Sequence, residues 1–306
     1  DDVSAAEPTE FELYYRAGEH EYRYALSMHA DEIVSEGLWR RKLGASRTAM
    51  LFEREDTKVE LGPTLRKLVT AARFNPSLPY LSFLCINFDA PVVQEAASWF
   101  LDAVFLNYNS SYLERMLEQM LDEGDSREVT RFLRAVDVRI DGFRVERAPE
   151  WRGQRVFVRH EVGGKAYELR LSEESAGTQK LMGLAAYLMA ALERGGTVVV
   201  DELDAKLHPK LLRYVILLFK DPEVNKSGAQ LIFSSQDVST MRNDVFRRDE
   251  IWFAARGEGE ASQLWSLADI HEANGNLVSK NAAFDKQYLS GRYGADPYLT
   301  RIEEWD

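Results

Sequence analysis

The chain carries an apolar run that ends abruptly in two acids, Thr197-Val198-Val199-Val200-Asp201-Glu202, and continues at once into Leu203-Asp204. Four residues of high β propensity in a row describe a strand buried on both faces, as in the parallel sheet of an α/β protein. An Asp-Glu pair at the carboxyl end of such a strand lies where open α/β sheets bind their ligands. Nucleotide hydrolysis needs one carboxylate there for Mg²⁺ and a second to orient or deprotonate the attacking water. Taken alone, an acid at a strand end also serves to cap the next helix.

A chain of 306 residues has the length for one large domain or two ordinary ones. Its hydrophobic content of 45% and charged content of 29% are those of a soluble globular protein. No apolar stretch approaches the roughly 18 residues of a membrane span. The start, Asp1-Asp2-Val3-Ser4, is acidic and polar, unlike a secretory leader. The single cysteine, Cys85, excludes an intramolecular disulfide framework and fits a reducing cytoplasm. Between Leu84 and Ile86 it reads as a buried structural thiol. A net charge of −12 argues against a surface made to coat nucleic acid. Two basic clusters, Arg40-Arg41-Lys42 with Arg47 and Arg144, Arg147, Arg152, Arg155, Arg159, read as solvated faces.

Along the chain, residues 1–62 show antiparallel β patterning. Phe11, Leu13 and Tyr15 alternate with polar neighbours, as do Tyr22, Tyr24, Leu26 and Met28 after a turn at Gly18. Further strands are expected at Ile33–Trp39 and Ala49–Phe52. Residues 63–137 turn helical, with Leu65, Leu68, Val69 and Ala72 at one helical spacing. Tyr112, Met116, Met120 and then Phe132, Leu133, Val136 suggest two more helices broken at Gly124, and Asn75–Pro79 is a turn. Residues 138–306 begin with two strands, Arg155–Val162 and Ala166–Leu171, meeting at Gly163-Gly164. A helix from about Ser175 to Glu193 follows, with Leu181, Leu184, Ala185, Leu188 and Leu192 on one stripe. After the 197–200 strand, Pro209 opens a helix carrying Leu212, Val215, Ile216 and Phe219. A second buried strand, Leu231-Ile232-Phe233, then completes a right-handed βαβ crossover. Ile251–Ala254 and Gln263–Leu267 are expected as final strands.

Ahead of the Val-Val-Val strand stands Ser175-Ala176-Gly177-Thr178-Gln179-Lys180. A Ser and a Gly at a helix start expose N–H groups and a hydroxyl at the positive end of the dipole, a combination that receives phosphate. The plainer reading makes Ser175 only an N-cap. Ser-x-Gly at a helix start, then Val-Val-Val-Asp-Glu-Leu-Asp, then Ile-Phe-Ser-Ser-Gln-Asp resembles the carboxyl-terminal half of an ABC-type ATPase head. These segments correspond to the signature, the Walker B strand with its D-loop, and the switch region. Within that superfamily the chain resembles the single-polypeptide ATPases of abortive-infection and restriction-linked phage-defence loci, relatives of the OLD and RecF heads. Leu171–Gln179, Asp201–Pro209, Ile251-Trp252-Phe253 and Tyr288–Gly294 carry this likeness.

The resemblance implies an α/β P-loop NTPase head with an antiparallel β section (1–62), a helical insertion (63–137) and an ATPase core half (138–306). It implies that Asp201 holds Mg²⁺, that Glu202 polarises the attacking water, and that Gln236 occupies the switch position. Ser175, Gly177 and Asp204 would meet a nucleotide bound to the other protomer. ATP would then glue a face-to-face homodimer in the cytoplasm. Two departures stand out. Relatives carry His where Gln236 stands, and glutamine cannot become cationic near pH 7. The chain also holds no Gly-x-x-x-x-Gly-Lys-Ser/Thr: its one Gly-Lys, Gly164-Lys165, precedes Ala166 and belongs to a hairpin. The chain is therefore expected to be truncated ahead of residue 1, inactive and without bound ATP or Mg²⁺ by itself. Its Walker B strand is expected to have an unpaired side, which another polypeptide fills or this chain covers by rearrangement or self-association.

Two other classes are open. One is a degenerate head that serves as a dimerisation or interaction module without hydrolysis. The other is a metal-dependent nuclease using Asp201, Glu202 and Asp204, against which no second acidic strand end stands at Toprim-like spacing. A separate nuclease or effector partner is compatible with the resemblance, whereas DNA binding has no support from charge. His20, His29, His160, His208 and His271 form no zinc-ligand spacing. His208 reads equally as a helix-start neighbour of Pro209 and as a functional group.

Overall fold

The structure is a computed structural model and describes residues 7–70, 73–107, 126–136, 138, 140–147, 154–256, 261–272 and 275–295. The chain divides into two compact units, one up to Val104 and one from Phe105 onward.

The first unit is built on an antiparallel meander. Strands β1 (Thr9–Ala17), β2 (His20–His29), β3 (Glu32–Lys42), β4 (Ala49–Glu55) and β5 (Lys58–Leu61) lie in chain order. Alternation decides which face is buried: Tyr15 pairs with Tyr22 and Leu13 with Tyr24 on the inner side. The Tyr15 and Tyr22 rings stack at 5.3 Å. Helices α1 (Tyr80–Asn87) and α2 (Pro91–Asp102) cover that face. Pro91 suits the first turn of α2, where its missing N–H costs nothing. The Tyr15 hydroxyl donates to the Ala96 carbonyl at 2.6 Å and ties α2 to the sheet.

Between these layers sits a fully buried ion pair, Glu36 on β3 and Arg54 on β4, 3.5 Å apart. Glu36 accepts from the Tyr24 hydroxyl at 3.0 Å and from the amides of Tyr80 at 2.5 Å and Leu81 at 2.9 Å. Arg54 donates to the carbonyls of Leu78 at 2.9 Å, Asp56 at 2.6 Å and Pro76. Every charge is thus hydrogen-bonded, the condition for ions out of water.

The helical section expected over 63–137 takes a different form. Leu65–Lys67 is a single 3₁₀ turn and Leu68 is exposed, so the Leu65, Leu68, Val69 spacing marks no helix. Because α1 and α2 bury against the meander, they belong to the first unit. Cys85 is half-buried with its thiol pKa raised by burial, and its neighbour Ile86 is 74% exposed. Ala72, Tyr112, Met116, Met120 and Gly124 lie outside the described residues. Phe132, Leu133 and Val136 are buried on and just after α3 (Ser126–Ala135).

In the second unit, β7 (Gly142–Arg147), β8 (Gln154–Val162) and β9 (Lys165–Arg170) form an antiparallel sheet. Gly163 and Gly164 join β8 to β9 with φ of 61° and 76°, the pair of left-handed residues a two-residue hairpin demands. Two of the basic residues here are paired with one acid: Arg144 and Arg159 both reach Glu168, at 2.8 and 3.4 Å, while the Arg147 side chain and Arg152 lie outside the described residues. In the first unit Arg41 and Arg16 likewise share Glu21. Helix α4 (Ala176–Arg194), strand β10 (Thr197–Asp201), helix α5 (Pro209–Lys220) and strand β11 (Gln230–Phe233) follow. The last unit elements, β12 (Trp252–Arg256), β13 (Ser262–Ser266) and α6 (Phe284–Leu289), enclose a small core of Phe253, Leu267, Phe284 and Tyr293.

Strands β10 and β11 are parallel, Val198 opposite Leu231 and Val200 opposite Phe233. The sheet order is β11-β10-β6, with β6 spanning Val104–Asn107. The 197–201 strand is therefore central, with partners on both sides and Val198 and Val200 fully buried. The side expected to lack a partner is covered from within the chain by β6, four residues inside a stretch read as helical. Among the described strands β11 and β6 are the two edges of this sheet, and Ile232 on β11 is 55% exposed. An apolar run cannot distinguish an edge from a centre, so the buried strand expected at 231–233 proves half-exposed. Among the described residues no helix is long and apolar enough to cross a membrane.

Candidate functional site

At the end of β10 the chain leaves Asp201 and enters a tight turn. Glu202 and Lys206 both have left-handed backbones, with φ of 51° and 61°. Non-glycine residues adopt that conformation only when their surroundings enforce it. Here the enforcement is visible. Leu203 is fully buried as the turn's apolar foot, and its amide donates to the Ser234 carbonyl at 3.0 Å. The amides of Ala205 and Leu207 donate to the carbonyls of Glu202 and Asp204 at 3.1 and 2.9 Å.

Ser234, the first residue after β11, connects the two acids. Its hydroxyl donates to Oδ1 of Asp201 at 2.5 Å and accepts from the Glu202 amide at 2.8 Å. Its own amide donates to the Val200 carbonyl at 3.1 Å, extending the parallel ladder by one step. The amide of Gln236 donates to Oδ1 of Asp204 at 3.2 Å. Asp201, Glu202, Asp204, Ser234 and Gln236 are thereby assembled at the carboxyl ends of neighbouring parallel strands, the ligand-binding edge of an α/β sheet.

Helix α4 approaches the same turn. Ser175 caps it: its hydroxyl accepts from the Thr178 amide at 3.1 Å and lies 2.8 Å from the Thr178 hydroxyl. The segment before it is held by Gln179, whose side-chain amide donates to the Glu174 carbonyl at 2.7 Å, and by His160, 2.6 Å from the Glu174 carboxylate. Gly177 lies against the 202–206 turn, where a β-carbon would stand 2.7 Å from the Lys206 carbonyl oxygen. Glycine is required there for close backbone approach. One turn further along, Lys180 is 3% exposed, and its Nζ donates to the carbonyls of Glu202 at 2.6 Å and Ala205 at 2.9 Å. Burial pushes its pKa down to about 8, while the charges of Asp204 and Glu202 pull the other way.

All six residues singled out in the sequence thus belong to one contact network, Ser175 and Gly177 through the start of α4 and the rest through the strand ends. Two members were not singled out, Ser234 and Lys180. Ser234 carries the only signal that could have found it, a hydroxyl residue directly after a parallel strand beside an acid. His208 proves to be the cap of α5, its Nδ1 accepting from the Lys210 amide at 3.1 Å.

The donors at the strand ends are carboxylate and hydroxyl oxygens, the hard ligands Mg²⁺ prefers. Among the described residues no three His, Cys, Asp or Glu side chains converge to hold a metal by themselves. Such a set suits Mg²⁺, which binds through one or two carboxylates and takes its other ligands from water and substrate phosphates. It does not suit a nuclease centre caged by Asp201, Glu202 and Asp204.

Parallel β10 and β11 thus carry two acids and a serine at their ends, beside a capped Ser-x-Gly helix. The chain belongs to the family described as "AAA domain, putative AbiEii toxin, Type IV TA system", which it matches over residues 3–242. Solved structures similar to it include an SMC head domain from Thermotoga maritima, at 13% identity and a TM-score of 0.34 over 81% of this chain and 74% of that one. Another is an SMC head bound to the C-terminal winged-helix domain of ScpA, at 14% identity and a TM-score of 0.39 over the same shares. No curated protein matches the chain.

Proposed function

We propose that this chain supplies the metal-binding, water-activating and signature elements of an ATP-hydrolysing head that works as a homodimer. The carrying observation is the Ser234 hydroxyl, which orients the Asp201 carboxylate while fixing the backbone of Glu202. In this reading Asp201 holds Mg²⁺, which would offset the phosphates' charge when bound. Glu202 takes a proton from the attacking water, a task that suits a carboxylate beside a partly dry turn. Ser175 and Gly177, with Asp204, face a nucleotide held by the second protomer. No Gly-x-x-x-x-Gly-Lys-Ser/Thr occurs in the 306 residues. In this reading the biological setting is a cytoplasmic phage-defence or DNA-linked process with a separate nuclease or effector as partner; its support is the resemblance of Leu171–Gln179 and Asp201–Pro209 to the ATPases of such loci.

The second reading is a degenerate head that dimerises without hydrolysis, and Gln236 in the switch position favours it. ATP turnover by the full gene product, wild type against Glu202→Gln, separates the two. The catalytic reading expects turnover that the substitution abolishes, with micromolar ATP binding undetectable in the 306-residue chain alone. No turnover in either protein would leave the interaction module standing.

A further inference from the structure

Lys180 is nearly inaccessible, yet it carries a charge in the middle of the apolar stripe of α4, between Gly177 and Leu181. An apolar side chain of similar volume would fill that position without the desolvation cost. Among what the lysine adds are hydrogen bonds to the carbonyls of Glu202 and Ala205. The Glu202 carbonyl is also the acceptor for the Ala205 amide, so the ammonium closes a turn flanked by two strained residues.

We infer that Lys180 is a positioning residue, an internal clamp whose ammonium fixes the 202–206 turn, and with it Glu202 and Asp204, to the first turns of α4. Gly177 completes the clamp, because its bare α-carbon lets the Lys206 carbonyl close on the helix. The start of α4 and the acid-bearing turn then move as one body. A contact made by Ser175 or Gly177 is felt at the Glu202 backbone without any intervening loop. The inference rests on the reading of Glu202 as the water-activating residue.

The test is backbone amide exchange of the 306-residue chain without nucleotide, as wild type, Lys180→Met and Lys180→Arg. Methionine keeps the stem and the helix propensity and removes the donors. The amides of Leu203, Ala205, Leu207 and Gln236 should exchange about tenfold faster or more in Lys180→Met, while β10 and the interior of α4 stay within about twofold of wild type. Lys180→Arg, which keeps the donors, should restore protection of the turn. An unchanged turn overturns the clamp, as does acceleration spread evenly through β10, α4 and the turn, the pattern of lost packing. Should the methionine variant not fold, Lys180→Gln is judged by the same criterion. Exchange is read without ATP, so a loosened turn in a protein with no Glu202-dependent turnover sinks the catalytic reading and leaves the clamp intact.

Discussion

The hydroxyl of Ser234 donates to Oδ1 of Asp201 across 2.5 Å while accepting the Glu202 amide, so one small side chain orders both acids. Ser234→Ala removes both bonds from an exposed site, which should cost about 1 kcal/mol of stability. If Asp201 holds a metal as proposed, turnover should fall by about tenfold or more. Denaturation midpoints and steady-state rates on the same preparations check the two effects.

In an ordinary helix, replacing glycine by alanine stabilises by about 0.5–1 kcal/mol. At Gly177 the sign should reverse, because the new methyl would lie 2.7 Å from the Lys206 carbonyl. Gly177→Ala is expected to destabilise by about 1–3 kcal/mol through overpacking against backbone. Urea denaturation settles the sign.

The buried Lys180 has a pKa near 8 in the folded chain, against an ordinary value of 10.5. Between those values the unfolded chain binds the proton more readily, so stability rises with pH across that window. The burial penalty is in full force below pH 8 and is relieved as pH climbs. From about pH 8 to 9.5, wild type should gain stability relative to Lys180→Met. Parallel stability curves for the two proteins would contradict this.

Glu36→Ala leaves the Arg54 guanidinium buried without its counter-ion and should cost about 3–5 kcal/mol. Glu36→Leu combined with Arg54→Met removes both charges and should cost less than Glu36→Ala alone. A double-mutant cycle by chemical denaturation measures the difference.

The open edge of β11 presents an exposed isoleucine to solvent. Ile232→Lys should leave stability within about 0.5 kcal/mol and reduce any concentration-dependent self-association of the chain, since edge lysines block strand pairing. Light scattering across a concentration series provides the readout.

Much of the second unit was legible in the sequence, because its elements advertise themselves by period. The Leu181 to Leu192 stripe, the valine run of β10 and Pro209 at the start of α5 each carry a strong local signal. The short strands β5, β6 and β7 do not, since four to six residues are too few to show alternation against their surroundings. Leu65, Leu68 and Val69 keep helical spacing but have no sequel, and the chain uses them as a single 3₁₀ turn. At the site, the acids could be read because their chemistry is specific to residue type. Lys180 could not, because its hydrogen bonds to the 202–206 turn go to main-chain oxygens, which every residue has.

Helix α1 has Pro79 at its cap position and no local side chain to receive its first amides. That duty falls to Glu36, 44 residues earlier, whose carboxylate takes the amide of Tyr80 and also that of Leu81. The helix therefore has no low-energy start until β3 is in place beside it. Its eight residues are also too few to persist in water unaided. Meander and helix in the first unit are thus bound to a common fate: neither a bare sheet with a frayed helix nor a free helix is a resting state. Proteolytic cutting of the Asn75–Pro79 link would release the two together rather than one after the other.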